Sequence, residues 1–231
     1  MDSPPTMSQR IVQRLKSWEG LLLIILIGVI ILNAFFATGY TGSQNQINLW
    51  WISIEKAIVV LAMTFVIITG EIDLSVASVM GLSAVVVAIL WEQGVPVEIG
   101  ILVALMVGLG NGLFNGIWVA IVGLPSLVVT LSVLIGIRGL ALMLIEVLSI
   151  GNHATAFPTW FEDLGQQPLS DFVGVLGSIP VIDRVPFAMF VYFGLLILAA
   201  VVLGRSGFGR RTYVIGSNKD VAQYSGVDVR R

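Results

Sequence analysis

The sequence predicts an all-α integral membrane protein, a bundle of about six transmembrane helices with a broken second span. Three observations predict it. First, of 231 residues 57% are hydrophobic and 11% charged, with a mean hydropathy of +0.97, whereas a soluble domain of this length carries roughly a quarter charged residues. Second, the apolar residues fall into six stretches separated by polar or Gly/Pro-bearing breaks. Third, Lys and Arg gather at the two ends of the chain. The chain has no Cys, which excludes disulfides, thiolate metal sites and Cys nucleophiles. The 25 Gly suit helices that approach closely within lipid.

The first stretch, Leu21 to Tyr40, is long enough to cross a hydrocarbon core of about 30 Å. Arg10, Arg14 and Lys16 precede it. Its apolar run is too long for a signal peptide and no small-residue cleavage site follows Phe36, so it reads as an uncleaved anchor. The second stretch, Ala57 to Thr69, is short of a full span and is interrupted by Gly70-Glu71-Ile72-Asp73. The third is Leu74 to Leu90, and a turn holding Pro96 leads to the fourth, Val97 to Val122. Gly123-Leu124-Pro125 separates it from the fifth, Ser126 to Glu146. A polar segment follows, then the sixth stretch, Phe187 to Leu203, and a polar, basic tail.

Charge sets the expected orientation. With both termini cytoplasmic, Arg10, Arg14, Lys16, Arg205, Arg210, Arg211, Lys219, Arg230 and Arg231 lie inside, nine of the twelve Lys and Arg. Residues 147–186 then lie outside with Arg184 against Glu162, Asp163, Asp171 and Asp183. That is the positive-inside bias.

The break is the most informative feature. Glu71 and Asp73 at membrane depth would each cost roughly 2.5–3.5 kcal/mol at a helix centre. Such a break is tolerated where it faces protein or water rather than lipid. Asp73 is placed to cap the third helix, and Ser75 and Ser78 add hydroxyls nearby. The functional reading is a discontinuous helix beside a translocation path; the structural one is a helix cap for Asp73 and interfacial water for Glu71.

In the fourth stretch Ala104, Gly108, Gly112, Gly116 and Ala120 recur every four residues, a small-residue stripe suited to close helix packing. Asn111 and Asn115, beside it, can hydrogen-bond across helices or line a polar path. Arg138, near the middle of the fifth stretch, needs a cavity, a carbonyl or an acid, and Asp73 is a candidate partner. In the tail, Ser217 or Asn218 can cap a short helix that Gly226 ends, with Val221 and Tyr224 sharing one face. That helix suits a groove on a soluble partner or, equally by spacing, the lipid interface with Arg210 and Arg211 on phosphates.

The run Ile68-Thr69-Gly70-Glu71-Ile72-Asp73-Leu74-Ser75-Val76-Ala77-Ser78 resembles the T-G-G-I-D-L-S-V-G-S signature of permeases in the ribose, xylose and rhamnose importer family of ABC transporters. Gly110-Asn111-Gly112-Leu113-Phe114-Asn115-Gly116 and Leu124-Pro125-Ser126-Leu127-Val128-Val129-Thr130-Leu131 are similar to two further stretches of that family, in the same order. Phe208-Gly209-Arg210-Arg211 through Ser225-Gly226-Val227 is similar to its F-G-R-x-x-x-A-I-G-x-N-x-x-A-A-x-x-S-G-I segment. The resemblance covers about residues 50 to 231. It departs at Glu71 and Ala77, which stand where the family has Gly, and at Tyr224, more often Leu. Family permeases also continue for roughly another hundred residues, so the chain is expected to be a fragment, a truncated product or half of a split permease.

The resemblance implies a cytoplasmic N-terminal segment at 1–20, a permease region at 21–203 with the 147–186 loop outside, and a cytoplasmic coupling segment at 204–231. It implies that residues 217–226, among them Asn218, Lys219, Asp220, Val221, Tyr224, Ser225 and Gly226, form the helix that receives motion from a separate ATP-binding-cassette ATPase. Glu71, Asp73, Ser75, Ser78, Asn111, Asn115 and Arg138 are the translocation-path candidates, and Gly108, Gly112 and Gly116 the packing candidates. The expected partners are that ATPase, a second permease copy or paralogue, a periplasmic sugar-binding protein and the lipid bilayer, with no nucleic acid. The expected location is the bacterial inner membrane. The expected cargo is a monosaccharide, a pentose or a deoxyhexose such as rhamnose, towards which Ile89-Leu90-Trp91-Glu92-Gln93-Gly94-Val95-Pro96 leans. The chain has no G-x-x-x-x-G-K phosphate loop, so ATP hydrolysis falls to another subunit; no enzyme activity, cofactor or metal is expected.

Two other classes compete. One is a scaffold or assembly subunit. The other is an intramembrane serine protease, since Gly81-Leu82-Ser83-Ala84 matches G-x-S-x; that chemistry needs a base within reach, and the single His, His153, falls in the outer loop.

Overall fold

The fold follows from where the apolar runs are long enough to bury their own backbone hydrogen bonds. The computed structural model describes residues 18–147, 156–166 and 187–227. The basic residues Arg10, Arg14, Lys16, Arg184, Arg230 and Arg231, together with His153 and most of the 147–186 loop, lie outside the described residues.

Among the described residues all regular structure is helical: α1 (Trp18–Phe36), α2 (Ser43–Ile68), α3 (Val76–Glu92), α4 (Val97–Gly116) with a π-helical turn at Ile117–Ile121, α5 (Ser126–Val147), α6 (Thr159–Gln166), α7 (Phe187–Arg205), α8 (Gly207–Ser217) and α9 (Lys219–Tyr224). The chain divides within α2 into two units, one ending at Ile52 and one beginning at Ser53. In the first unit α1 is apolar on every side and its side chains are largely exposed, as expected of a rod whose solvent is lipid. It stops at Phe36, and Tyr40, expected inside the first span, lies in the turn that follows.

Among the described residues four helical runs are long and apolar enough to cross a membrane: Ile47–Ile68, Val97–Ile121, Ser126–Val147 and Phe187–Arg205. The other two expected spans are shorter apolar helices, Gly20–Phe36 and Val76–Glu92. The second span differs from its expectation. It is a 26-residue helix rather than a thirteen-residue stub. Apolar residues resume upstream of Glu55-Lys56 at Ile47, Leu49, Trp50 and Ile52, and one adjacent acid–base pair does not stop helix winding. The break that follows it is real. Residues 71–75 lie outside any helix, and Gly70 takes φ +80°, a left-handed turn that a side chain at this position would strain.

In the second unit α3 is the central rod, packed against both α4 and α5. Leu82, Val97, Val129 and Ala141 are buried, while Leu102, Leu105, Met106, Leu109 and Leu113 of α4 are exposed. So large an exposed apolar surface suits acyl chains, not water. The α4 rod with its π turn runs 25 residues against 17 in α3, a difference of eight, or about 12 Å of helix. The non-helical segment 71–75 joins α2 to α3, and its Ser75 end bonds to Asn111 and Asn115 of α4.

Gly108, Gly112 and Gly116 meet no neighbouring atom within 4 Å of a notional methyl. A four-residue step advances each site by about 40° on an α-helix, so a stripe that begins at α3 winds away from it. The glycine that does touch α3 is Gly100, 3.4 Å from Val87 by the same measure. The side of α4 facing the bundle is Val97, Gly100, Ala104, Val107, Asn111 and Asn115, at steps of three or four.

Candidate functional site

A backbone that leaves the helix inside a bundle frees N–H and C=O groups, and each must find a partner there. Here the start of α5 supplies them. The Ile72 amide donates to Ser126 Oγ at 3.2 Å, and Thr130 Oγ1 donates to the Ile72 carbonyl at 3.2 Å and to the Ser126 carbonyl at 2.8 Å. Ser126 follows Gly123-Leu124-Pro125, where Gly123 takes φ +84°, so the second break in the chain serves the first.

Asp73 does not cap the first turn of α3 as expected. The cap position is Ser75, and Asp73 Oδ1 accepts the Ser75 amide at 2.8 Å and the Ser75 hydroxyl at 2.6 Å. The helix starts two residues later than the cap reading required, because the Asp73 side chain closes a turn on Ser75 instead.

Ser75, with 0% exposure, is the hub of this region. Its Oγ donates to Asp73 and accepts from Asn111 Nδ2 at 3.2 Å and Asn115 Nδ2 at 3.0 Å. The two Asn are four apart on α4 and therefore aim at one point. They lie about 9–15 Å along the helix from Ile121, which sets the network well below the end of the rod. Asn115 is 7% exposed, and no donor among the described residues meets its Oδ1. That oxygen can accept a hydrogen bond from a hydroxyl or a water. Ser78 is spent on structure, donating to the Leu134 carbonyl at 2.9 Å.

Asn111 also borders an open groove of about 400 Å³ between α4 and α5, floored by Leu82. Its remaining lining, including Phe114, Val133, Gly136 and Leu140, is apolar. Arg138 is exposed, and Asp73 is not its partner. Asp73 sits level with Ser126, and twelve residues of α5 separate Ser126 from Arg138, about 18 Å.

The tail reaches the same end of the bundle. Ser206 Oγ accepts the Gly209 amide at 3.0 Å and donates to the Val202 carbonyl at 2.6 Å, fixing the elbow between α7 and α8. Asn218 ends α8 and starts α9: its Oδ1 accepts from Asp220 and Val221 amides at 2.8 and 3.1 Å. Gly226, at φ +77°, follows α9. Three contacts then tie the tail to the last turns of α2 and to the break. Phe208 packs against Phe65 with centroids 6.1 Å apart and ring planes tilted by 38°, Gly216 lies on the Ile68 carbonyl, and Lys219 forms an ion pair with Glu71. Ala222 is buried, whereas Val221 and Tyr224 are 54% and 92% exposed, so α9 turns an apolar face outward.

Glu71 lies at the rim, past the end of α2. Partial burial pushes its carboxyl up, but the Lys219 ammonium and the Ser126 hydroxyl outweigh that and leave it below its ordinary value of 4.5. A depressed carboxylate contributes fully above the unfolded-state value and loses its contribution as pH falls through the folded one. Proteolytic protection of the tail should therefore hold from pH 8 to about 5 and fade below about 4.5, and Glu71→Gln should remove that dependence. Protection that falls between pH 8 and 6 would contradict the assignment.

Four of the residues singled out from the sequence, Asp73, Ser75, Asn111 and Asn115, meet in one hydrogen-bonded cluster. Sequence reading missed Ser126 and Thr130, although a Ser directly after Pro with Thr four residues on is a legible helix start. The protease alternative finds no support in the position of Ser83, whose hydroxyl lies against the Ala104 carbonyl at 3.4 Å, between α3 and α4.

The profile of the family described as branched-chain amino acid transport system / permease component matches residues 46–231. The xylose transport system permease protein XylH of Haemophilus influenzae is 30% identical, covering 94% of this chain and 71% of that protein. XylH of Escherichia coli K12 is 31% identical, covering 94% and 68%. The autoinducer 2 import system permease protein LsrD of Yersinia enterocolitica is 32% identical over 75% of this chain and 49% of its own length. No solved structure matches. These relatives are permease subunits rather than enzymes, and they bear out the resemblance to carbohydrate ABC importer permeases. With the profile covering the break, the network and the tail alike, this multi-pass membrane chain belongs to the branched-chain amino acid transport system / permease component family.

Proposed function

We propose that the chain is the membrane subunit of an ATP-binding-cassette importer that moves a monosaccharide, a pentose or a deoxyhexose such as rhamnose, across the cytoplasmic membrane. The observation that carries this reading is the joint between the buried hydroxyl-and-amide network and the tail: Glu71, at the mouth of the segment holding Ser75, is bonded to Lys219 at the start of α9. Motion of α9 therefore has a short mechanical route to a cluster of groups suited to hydroxylated cargo.

In this reading both termini are cytoplasmic and Val221 and Tyr224 insert into a groove on a separate ATPase subunit. Asp73, Ser75, Asn111 and Asn115 line the path at its inner end, Glu71 stands at its mouth, and Ser78 and Arg138 contribute through the walls. The open stripe Gly108, Gly112, Gly116 is free for a second permease copy, and a periplasmic binding protein delivers the sugar from outside. The xylose and autoinducer 2 permeases among its relatives support a small polyhydroxylated cargo. The bundle rocks between outward- and inward-open states as the ATPases close.

Tyr224→Arg places a charge at the centre of the docking face. It should abolish uptake and permease-dependent stimulation of ATP hydrolysis while leaving the amount of inserted protein unchanged, read by sugar uptake and by ATPase assay of the co-expressed complex. Undiminished uptake would reject the docking assignment. Co-purification with an ATPase without any stimulated hydrolysis in the unmodified chain would favour a scaffold subunit instead.

A further inference from the structure

From the three contacts between the tail and the end of α2, we infer that Glu71 and Lys219 are a positioning pair, an ionic latch that holds the tail against the break in the resting state and opens when the ATPase moves α9. The inference rests on the proposed importer role and adds to it the element that transmits the motion.

Phe65, Ile68 and Glu71 follow one another at steps of three along the end of α2 and its exit, and they meet Phe208, Gly216 and Lys219 of the tail. The first two contacts are of different character from the third. The aromatic pair and the backbone-to-backbone approach at Gly216 act as a hinge side, fixed by shape and independent of charge. The ion pair is at the far end, beyond the Asn218 joint between α8 and α9. A pull on α9 therefore loads the ion pair before it loads the hinge.

Strength also fits a releasable contact. The Lys219 side chain is 55% exposed and that of Glu71 23% exposed. Pairs so placed hold weakly, and salt weakens them further. Yet Glu71 is not an isolated surface acid. Its chain neighbour Ile72 is pinned by Ser126, so release of Lys219 acts one residue away from the bond that holds the break. An acid where the family pattern has Gly thus gives this chain a charge-dependent link that a glycine could not make.

The chain has no Cys, so Glu71→Cys with Lys219→Cys gives a clean probe in the full transporter, permease co-expressed with its ATPase, in membrane vesicles. A short bismaleimide should join the two sites without nucleotide. The Phe65–Phe208 and Gly216–Ile68 contacts remain in this variant and keep the two sites adjacent at rest, so the yield should fall about fivefold, the factor that about 1 kcal/mol makes, only when vanadate traps the ATPase and moves α9. No joining at rest, or a yield unchanged by vanadate, would overturn the latch. In parallel, Glu71→Gln and Lys219→Gln should each raise ATP hydrolysis per sugar moved about fivefold without altering membrane insertion. Rising salt should do the same to the unmodified protein, and Glu71→Lys with Lys219→Glu should restore coupling. Single variants that behave like the unmodified chain, or a swap that rescues nothing, would also overturn it. Tyr224→Arg separates the two proposals: it should keep the resting cross-link and lose only the vanadate response. If Tyr224→Arg still responds, the docking assignment fails while the resting cross-link and the charge swap continue to judge the latch.

Discussion

Gly216→Val should release the cytoplasmic helix pair from the bundle and stop ATP-driven uptake, with the inserted protein still present in the membrane. A methyl at Gly216 would fall on the Ile68 carbonyl oxygen and lie 2.8 Å from its carbonyl carbon and 3.4 Å from Thr69 Cα. Those are backbone atoms at the end of a full-length helix, so no rotamer can swing away. Overpacking a tight contact costs about 1–3 kcal/mol even where side chains can adjust. Here the available relief is to lift α8. That lift also separates Phe208 from Phe65 and Lys219 from Glu71, so three contacts fail together. Limited trypsin digestion reads the result at Arg210, Arg211 and Lys219. Cleavage should accelerate about tenfold or more once about 1.4 kcal/mol of docking is lost, because proteolysis tracks the open fraction when opening is fast. Unaltered cleavage, with uptake retained, would show that the approach at Gly216 is dispensable. The variant acts on the tail alone, so an intact yield of membrane protein distinguishes it from a folding defect.

Ser75→Ala should be the most damaging single-atom deletion in the bundle. The lost oxygen is the acceptor for both Asn111 and Asn115 and a donor to Asp73. Stranding a buried donor costs about 1–3 kcal/mol, and Asn115, already without a donor for its Oδ1, has no second bond to fall back on. Thermal unfolding of the detergent-solubilised protein should shift down by several degrees. Asn111→Ala, which leaves Ser75 bonded to Asn115, should cost less than Ser75→Ala. Equal effects of the two would deny Ser75 its central place.

The spans were legible because apolar length is a strong signal: α3, α4 and α5 begin within two residues of their expected starts. The second span was misjudged because a hydropathy reading counts Glu55-Lys56 as an interruption, whereas the helix continues through the pair and the apolar run resumes beyond it. The break at 70–73 was legible from Gly70 and two acids in an apolar setting. Its partners were not, since Asn111, Ser126 and Thr130 stand 36 to 58 residues away from the groups they hold. Spacing showed that Asn111 and Asn115 share a face but not that Ser75 lies opposite. The Gly108, Gly112, Gly116 stripe drifts by about 40° per step, so it leaves the side of α4 on which Gly100 meets α3. Lys219 shows the limit of local reading: its sequence neighbours explain the cap of α9, and nothing near it in the chain points to Glu71.

The π turn at Ile117–Ile121 has a mechanical corollary. Each bond there spans five residues where an ordinary turn spans four, so the rod stores one surplus residue just ahead of Gly123 and Pro125. Rewinding that surplus into regular coil would rotate everything downstream by about 100° and shift it by about 1.5 Å along the axis. Ser126 is the first helical residue downstream, and its hydroxyl would swing off the Ile72 amide. A one-residue register change at the foot of one rod is thus enough to unfasten the non-helical insert seated against its neighbour.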